Sequence, residues 1–269
     1  MVPHEGRYIY GVAASERAVN LGPIGIENNE VYTAPHRGLC AIVHNCPAEP
    51  YRSADTEIVG KWALSHQDVL DRAQQEFGTV IPLSFDTVLK PKDRAASPDQ
   101  AVTDWLKIDY ERLQSIVEKI AGKNEYGVQI IYEPAVIAKR ISEESTEIRS
   151  LREEMAAKSP GMAYLYQQKV EKAVRAEIDR FASDWFEDFY ARVKRHCDAI
   201  VVGKTKKADR NKVMLLNLSC LVARERVDNL GEELEAINKM MGCSVHFSGP
   251  WPPYSFVARP VVLVEEAAP

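Results

Sequence analysis

The stretch Val213-Met214-Leu215-Leu216-Asn217-Leu218-Ser219-Cys220-Leu221-Val222 decides how the second half of the chain is read. Its even positions, Met214, Leu216, Leu218, Cys220 and Val222, are all apolar, while Asn217 and Ser219 fall between them. Successive strand residues point to opposite faces, so this alternation predicts a strand with one face in a core. Just upstream, Ala199-Ile200-Val201-Val202 reads as a buried-type strand. The polar run at 204–212 between the two reads as a solvated hairpin loop. Downstream, residues 227–241 carry Leu230, Leu234 and Ile237 at helical spacing, and Gly242 stops the helix. Cys243-Ser244-Val245-His246-Phe247 is the last strand.

Further back, Tyr166, Val170, Val174, Ile178, Phe181, Trp185, Phe189 and Val193 recur every three or four residues, which predicts one long helix over 162–195. Such a helix is roughly 50 Å long. Ser159-Pro160-Gly161 separates it from a Glu- and Arg-rich helix over 142–158, so 142–195 is expected to form a projecting helical hairpin. Tyr126-Gly127-Val128-Gln129-Ile130-Ile131-Tyr132 precedes it as a strand. The order from Tyr126 is strand, helices, strand, strand, helix, strand, the βαββαβ pattern of a ferredoxin-like domain.

The first half is also mixed. Tyr8-Ile9-Tyr10-Gly11-Val12-Ala13 is a strand, followed by a loop at 20–29 rich in Gly, Pro and Asn. Val31-Tyr32-Thr33-Ala34 and Leu39-Cys40-Ala41-Ile42-Val43-His44 flank a turn at Pro35-His36-Arg37-Gly38. A helix capped by Ser53 or Asp55 runs to Gly78, with Ile58, Trp62, Val69, Leu70, Ala73 and Phe77 on its apolar stripe. Val80-Ile81-Pro82-Leu83-Ser84-Phe85 is a short edge strand, because Pro82 has no N–H for a ladder. Ser97-Pro98 opens a helix to Ala121 through Trp105, Ile108, Leu113, Ile116 and Ile120. The expected class is α+β in two domains. These are an N-terminal α+β domain at 1–123 and a ferredoxin-like domain at 124–269, the latter with a Pro/aromatic tail at 249–260.

The 269 residues are 45% hydrophobic and 27% charged, enough for a sizeable core. A net charge of -5 argues against a nucleic-acid partner, which a basic surface would bind. No apolar run approaches the roughly 20 residues that span a bilayer, and Met1–Arg7 shows no signal pattern, so a cytoplasmic protein is expected. Five cysteines without C-x-x-C spacing point to reduced thiols rather than disulfides or zinc.

Tests for chemistry return no positive signal. Val202-Gly203-Lys204-Thr205 ends like a phosphate-binding loop, but position 198 is Asp and a strand follows instead of a helix. The histidines lack metal-ligand spacing, and His66 reads as a partly buried helix residue. Ser84, Ser219 and Ser248 have no nucleophile-elbow setting, and His196 and Cys197 point apart if they lie on a strand. Neither catalysis, nor a cofactor, nor a metal, nor a small-molecule substrate is expected. The charged helix face of Glu143, Glu144, Glu147, Glu153 and Glu154 with Arg149, Arg152 and Lys158 reads as a solvated face or a docking surface.

The tail stands apart. In Gly249-Pro250-Trp251-Pro252-Pro253-Tyr254-Ser255-Phe256-Val257, the prolines stiffen a segment that carries Trp251, Tyr254 and Phe256. Such a segment either straps the end of the second domain to the first or presents a preformed surface to a partner.

Several of these segments resemble one family. They are Tyr8-Ile9-Tyr10-Gly11-Val12, His66 with Val69-Leu70, Val80 through Val88, Glu125-Tyr126-Gly127-Val128-Gln129, Ser159-Pro160-Gly161-x-Ala163-Tyr164-Leu165, and the Gly249-to-Val257 tail. In this order they resemble the GvpF/GvpL gas vesicle proteins. Ser84-Phe85-Asp86 departs from the Arg-Phe-Gly common in the family. The resemblance implies a non-enzymatic accessory protein of gas vesicle assembly. Its expected partners are the hydrophobic shell protein and other accessory proteins, and its expected place is the vesicle. Pro160, Gly161, Tyr164 and Leu165, with Trp251, Pro252, Pro253, Tyr254 and Phe256, are the candidate interface or structural residues. The alternative is a small-molecule-binding regulatory module, since a ferredoxin-like fold does not dictate function.

Overall fold

Strand β1 (Glu5–Ala13) is the axis of the first half. The computed structural model describes residues 5–91, 97–206 and 211–257. Around β1 lie β2 (Asn20–Gly22), β3 (Val31–His36), β4 (Leu39–Pro47), helix α1 (Thr56–Phe77), β5 (Val80–Pro82) and β6 (Val88–Leu89). Helices α2 (Pro98–Ile108) and α3 (Tyr110–Ile120) follow. The sheet runs β2-β3-β4-β1-β5, with β6 also pairing β1. The β1–β4 ladder is antiparallel and slips between Ile9 and Gly11. A bulge of this kind shifts the alternation, and Ala13 joins Tyr8 and Tyr10 in one cluster. Gly11 has a physical reason: a Cβ there would sit 2.5 Å from the Ile81 carbonyl oxygen, across the β1–β5 pair.

α1 covers one face of this sheet, burying Val69, Leu70 and Ala73 against Tyr8, Tyr10, Cys40 and Ile42. Asp55 is its cap, accepting from the Glu57 N–H, and Gly78 ends it at φ 77°. The opposite face of β1 and β4 buries Ile9, Ala41 and Val43, and α2 packs there with Val102 and Leu106. The stripe of α1 is fully buried only from His66 to Ala73; Ile58 is exposed, and Trp62 and Phe77 are half-buried. The single helix expected over 98–121 is two helices, because Asp109 leaves helical geometry at ψ 7°. The break turns Ile108 out of the core, 78% exposed.

The second half holds β7 (Lys123–Tyr132), α4 (Pro134–Glu144), α5 (Thr146–Ala156), α6 (Pro160–Lys194), β8 (Ala199–Val202), β9 (Val213–Ala223), α7 (Val227–Asn238) and β10 (Cys243–Trp251). Its sheet order is β10-β7-β9-β8. Leu216, Leu218, Cys220 and Val222 of β9 do line the core, beside Tyr126, Val128, Ile130 and Tyr132 of β7 and Leu230, Leu234 and Ile237 of α7. The helix expected over 142–158 starts earlier, at Pro134, and breaks at Ser145, whose backbone is extended at ψ 119°.

β10 runs on to Trp251, so the first part of the tail is strand. A helical turn, α8 (Tyr254–Val257), closes the described chain in place of a fully extended strap. Residues 258–260 of the expected tail lie outside the described residues, as do 207–210 of the expected hairpin loop. The molecule is thus a mixed helix-and-sheet protein. One compact unit comprises the residues up to Glu125 together with those from Trp251 on; the other is Tyr126–Pro250. The tail, placed by chain order in the second domain, belongs with the first unit because its buried side chains pack there. All five cysteines are free.

Candidate interaction surface

The helical hairpin is built from the break at Ser145 and the turn at Ser159. Pro160 fits the first turn of α6, where no N–H is needed, and Ser159 is extended before it. Along α6, Val170, Trp185, Phe189 and Val193 are buried, and Val174, Ile178 and Phe181 pack beside them. Phe181, Trp185 and Phe189 form a ladder with ring centroids 4.7 and 5.3 Å apart. Toward the N-terminus the same helix loses its cover. Pro160 and Gly161 are exposed, and Met162, Tyr164 and Leu165 are 47%, 62% and 50% exposed. Tyr166 lies under two ammonium groups, Lys158 at 5.4 Å and Lys169 at 4.7 Å from its ring centre. The head of α6 therefore presents apolar and aromatic side chains with a cationic fringe.

The tail is arranged differently. Pro252 and Pro253 are buried, and Trp251 is half-exposed at the end of β10. Tyr254 packs on the cluster around Tyr8 and Tyr10, and burial pushes its phenol up. Phe256 is buried beneath the Lys119 ammonium, 5.9 Å from the ring centre. Between them Ser255 donates its N–H at 2.8 Å and its hydroxyl at 2.6 Å to the Glu125 carboxylate. These contacts seat Tyr254 and Phe256 against the protein itself.

A buried polar cluster lies under α1. The His66 Nε2 faces the Leu83 carbonyl at 3.2 Å, so it carries the proton and donates. Its Nδ1 then accepts from the Tyr8 hydroxyl at 2.8 Å, which itself accepts the Asp86 N–H at 3.0 Å. His44 sits between the Tyr10 and Tyr51 hydroxyls at 2.7 and 3.0 Å, and Tyr10 accepts the Ile26 N–H. Burial pushes both imidazoles down to about 4, so both are neutral at neutral pH. Each ring nitrogen is engaged within the protein, which is the pattern of a structural network. His66 is more buried than its sequence suggested. The parts of His44, Tyr10 and Tyr51 were missed, since partners 34 residues apart leave no local pattern.

At Asp86, where the related family commonly has glycine, φ is 67°. Asp tolerates this left-handed conformation, and its carboxylate accepts from the Tyr51 N–H at 2.8 Å.

Among the described residues, no group of three or more His, Cys, Asp or Glu is placed to hold a metal. Nor is any helix among them long and apolar enough to cross a membrane.

Residues 6–258 match the family described as gas vesicle synthesis protein GvpL/GvpF. The chain belongs to the GvpL/GvpF family. Gas vesicle protein L1 of Halobacterium salinarum is 28% identical over 264 residues, covering 93% of this chain and 90% of that protein. Gas vesicle protein F of a Streptomyces species is 29% identical over 269 residues, covering 93% and 98%. The crystal structure of GvpF from Anabaena sp. PCC7120 superposes with a TM-score of 0.72 at 19% identity, over 95% of this chain and 99% of that one. That of GvpF from Microcystis aeruginosa gives 0.65, also at 19% identity, over 94% and 99%. The fold is that of the GvpF structures, and as a GvpL/GvpF protein the chain takes part in gas vesicle formation. Two of the segments by which the sequence resembles this family have opposite settings. Ser159–Leu165 lies on the exposed head of α6, and the stretch after Trp251 is packed.

Proposed function

We propose that this GvpL/GvpF protein is a non-enzymatic assembly factor that binds the hydrophobic shell protein of the gas vesicle, and other accessory proteins, during nucleation or growth. The observation that carries this reading is the head of α6, where Met162, Tyr164 and Leu165 are all exposed, with Met162 and Leu165 one turn apart on the same face. Singly exposed apolar residues need no explanation, but a grouped patch marks an interaction site. A shell subunit rich in apolar surface needs a soluble partner until it is incorporated, or it aggregates. The strand order β10-β7-β9-β8 supports reading the second unit as ferredoxin-like, with the hairpin as the expansion of its first helix. On this reading the protein works in the cytoplasm at the vesicle, without cofactor, small-molecule substrate, nucleic acid or membrane.

The test is a pull-down of the shell protein on the full chain, with Tyr164→Ala/Leu165→Ala beside it, paired with complementation of a deletion strain. Capture by the parent chain, lost in the double variant together with vesicle formation, supports the proposal. No capture by the parent, or capture indifferent to both substitutions, overturns it.

A further inference from the structure

β8 is the end strand of the second sheet, with β9 on one side and, among the described residues, no strand on the other. Ala199 lies opposite Leu221, Val201 opposite Ser219 and Val202 opposite Leu218. The Gly203 N–H donates to the Asn217 carbonyl at 2.7 Å, so the odd-numbered residues of this segment turn their backbone groups toward β9. Ile200 and Val202 then turn theirs outward, each offering an N–H and a C=O along the open edge. Val201 and Val202 are 41% and 53% exposed there.

Natural proteins blunt such edges by keeping them short or by placing lysine, proline or an inward charge on them. β8 is short, but Ala199 to Gly203 carry neither a charge nor a proline. At the other end of the sheet, β10 does carry a proline, Pro250. The charges near β8 stand at its two flanks, Asp198 before it and Lys204 after it. Asp198 accepts the Ala223 N–H at 3.1 Å and pairs with Arg226 at 2.6 Å, both through Oδ2, so its Oδ1 is open to a second cation. Lys204 is exposed and in no ion pair among the described residues.

An open edge of backbone N–H and C=O groups is matched by an extended strand. The flanking charges narrow the choice. The matching strand is apolar at its centre, basic beside Asp198 and acidic beside Lys204. β8 meets this description itself. Turned half a revolution about Val201, a second copy sets Ile200 against Val202, Ala199 against Gly203 and Asp198 against Lys204. We infer that β8 pairs antiparallel with β8 of a second copy of this chain, across a two-fold axis at Val201. The outward groups of Ile200 and Val202 then make about four hydrogen bonds across the axis. Val201 of each copy meets its equivalent, and each Lys204 meets the Asp198 of the other copy. So short a strand buries less than the roughly 1,200 Å² of a standard interface, which makes the dimer reversible and dependent on concentration. This edge is separate from the head of α6, and pairing between copies does not depend on the shell protein.

Sedimentation velocity of the full chain over roughly a hundredfold range of concentration reads the dimer. Val201→Lys puts two ammonium groups on the axis, and Lys204→Glu sets a second carboxylate against Asp198. Each should weaken the dimer about tenfold, and the Lys204→Glu effect should shrink at high salt. Cysteine reads the register. Residues on the axis form a non-hydrogen-bonded pair with Cα atoms about 4.5 Å apart, within reach of a disulfide. Under diamide, Val201→Cys should therefore link to its equivalent about tenfold faster than Val202→Cys, which faces Ile200 instead. The parent chain, run beside them, gives the background from its native thiols, and circular dichroism confirms that each variant is folded. A chain that stays monomeric throughout, a dimer indifferent to Val201→Lys, or equal linking at 201 and 202 overturns the inference. So does a monomer that takes up a synthetic strand peptide at this edge: β8 would then belong to a different protein's strand.

Discussion

Ser255 donates twice to the Glu125 carboxylate, through its backbone N–H at 2.8 Å and its hydroxyl at 2.6 Å, across 130 residues of chain. Glu125 is 8% exposed, and such a group is costly to bury without partners. The serine therefore does two things: it satisfies the acid and it fixes the turn that seats Tyr254 and Phe256. Ser255→Ala removes one bond to a charged acceptor and should cost about 1.5 kcal/mol. Glu125→Ala leaves the Ser255 N–H without its acceptor and should cost more, about 2–3 kcal/mol. Urea midpoints of the two variants and their double measure the coupling. If the double variant loses the full sum of the singles, the pair does not act as a unit.

The buried histidines make stability depend on acidity. His44 and His66 are held down to about 4 by burial, below the ordinary 6.5 of an exposed imidazole. In the unfolded chain the rings take up protons as pH falls through 6.5, while the folded protein resists until about 4. The unfolded state then binds more protons, so stability falls across this window. It is fully present above 6.5 and lost toward 4. Each pKa unit corresponds to about 1.4 kcal/mol, so the two rings together can remove several kcal/mol. Denaturant midpoints at pH 7.5, 6 and 5 should decline, and His66→Gln should flatten the slope while lowering stability at pH 7.5. A profile unchanged from 7.5 to 5 would show that the rings are not held neutral.

Much of the architecture was legible where one rule governs the residues. The alternation at 213–222 needs only a one-sided core, and the stripe of α6 needs only helical periodicity. What escaped was set by geometry that leaves no local mark. Asp109 and Ser145 interrupt helices without glycine or proline, inside runs of good helix formers, so the sequence reads straight through them. The exposed head of α6 was marked by the Ser159-to-Leu165 segment, but nothing in that segment says that Tyr164 faces water. The Tyr10–His44 and Tyr8–His66 bonds join residues on different elements, and only the folded ladder brings them together. The tail was legible as a segment that could strap onto the first domain, but the helical turn that seats Tyr254 there was not.

Asp86 tests whether a polar residue can stand in for glycine. At φ 67° it holds a left-handed turn while anchoring the Tyr51 N–H. Asp86→Ala loses that bond and keeps an unfavourable φ, which together should cost about 2 kcal/mol. Asp86→Gly loses the bond but relaxes the backbone, so it should cost less than about 1 kcal/mol. Thermal melting of both variants gives the order. Alanine tolerated as well as glycine would mean that the turn changes shape when the carboxylate is removed.

The two ends of α6 should separate folding from binding. Phe189 is fully buried in the ladder with Trp185, and truncating such a ring costs about 3–5 kcal/mol through lost transfer energy and the cavity left behind. Leu165 and Tyr164, half-exposed or more, have no comparable cavity to leave, and Tyr164→Ala or Leu165→Ala should stay within about 0.5 kcal/mol of the parent. Melting curves and shell-protein capture, measured on the same preparations, then sort the variants. Phe189→Ala should lower both, because a loosened hairpin cannot hold its head in place. Tyr164→Ala/Leu165→Ala should lower capture alone. Should the Leu165 variant instead melt as early as the Phe189 variant, the head of α6 is packed in solution, and its residues belong to the core rather than to a partner.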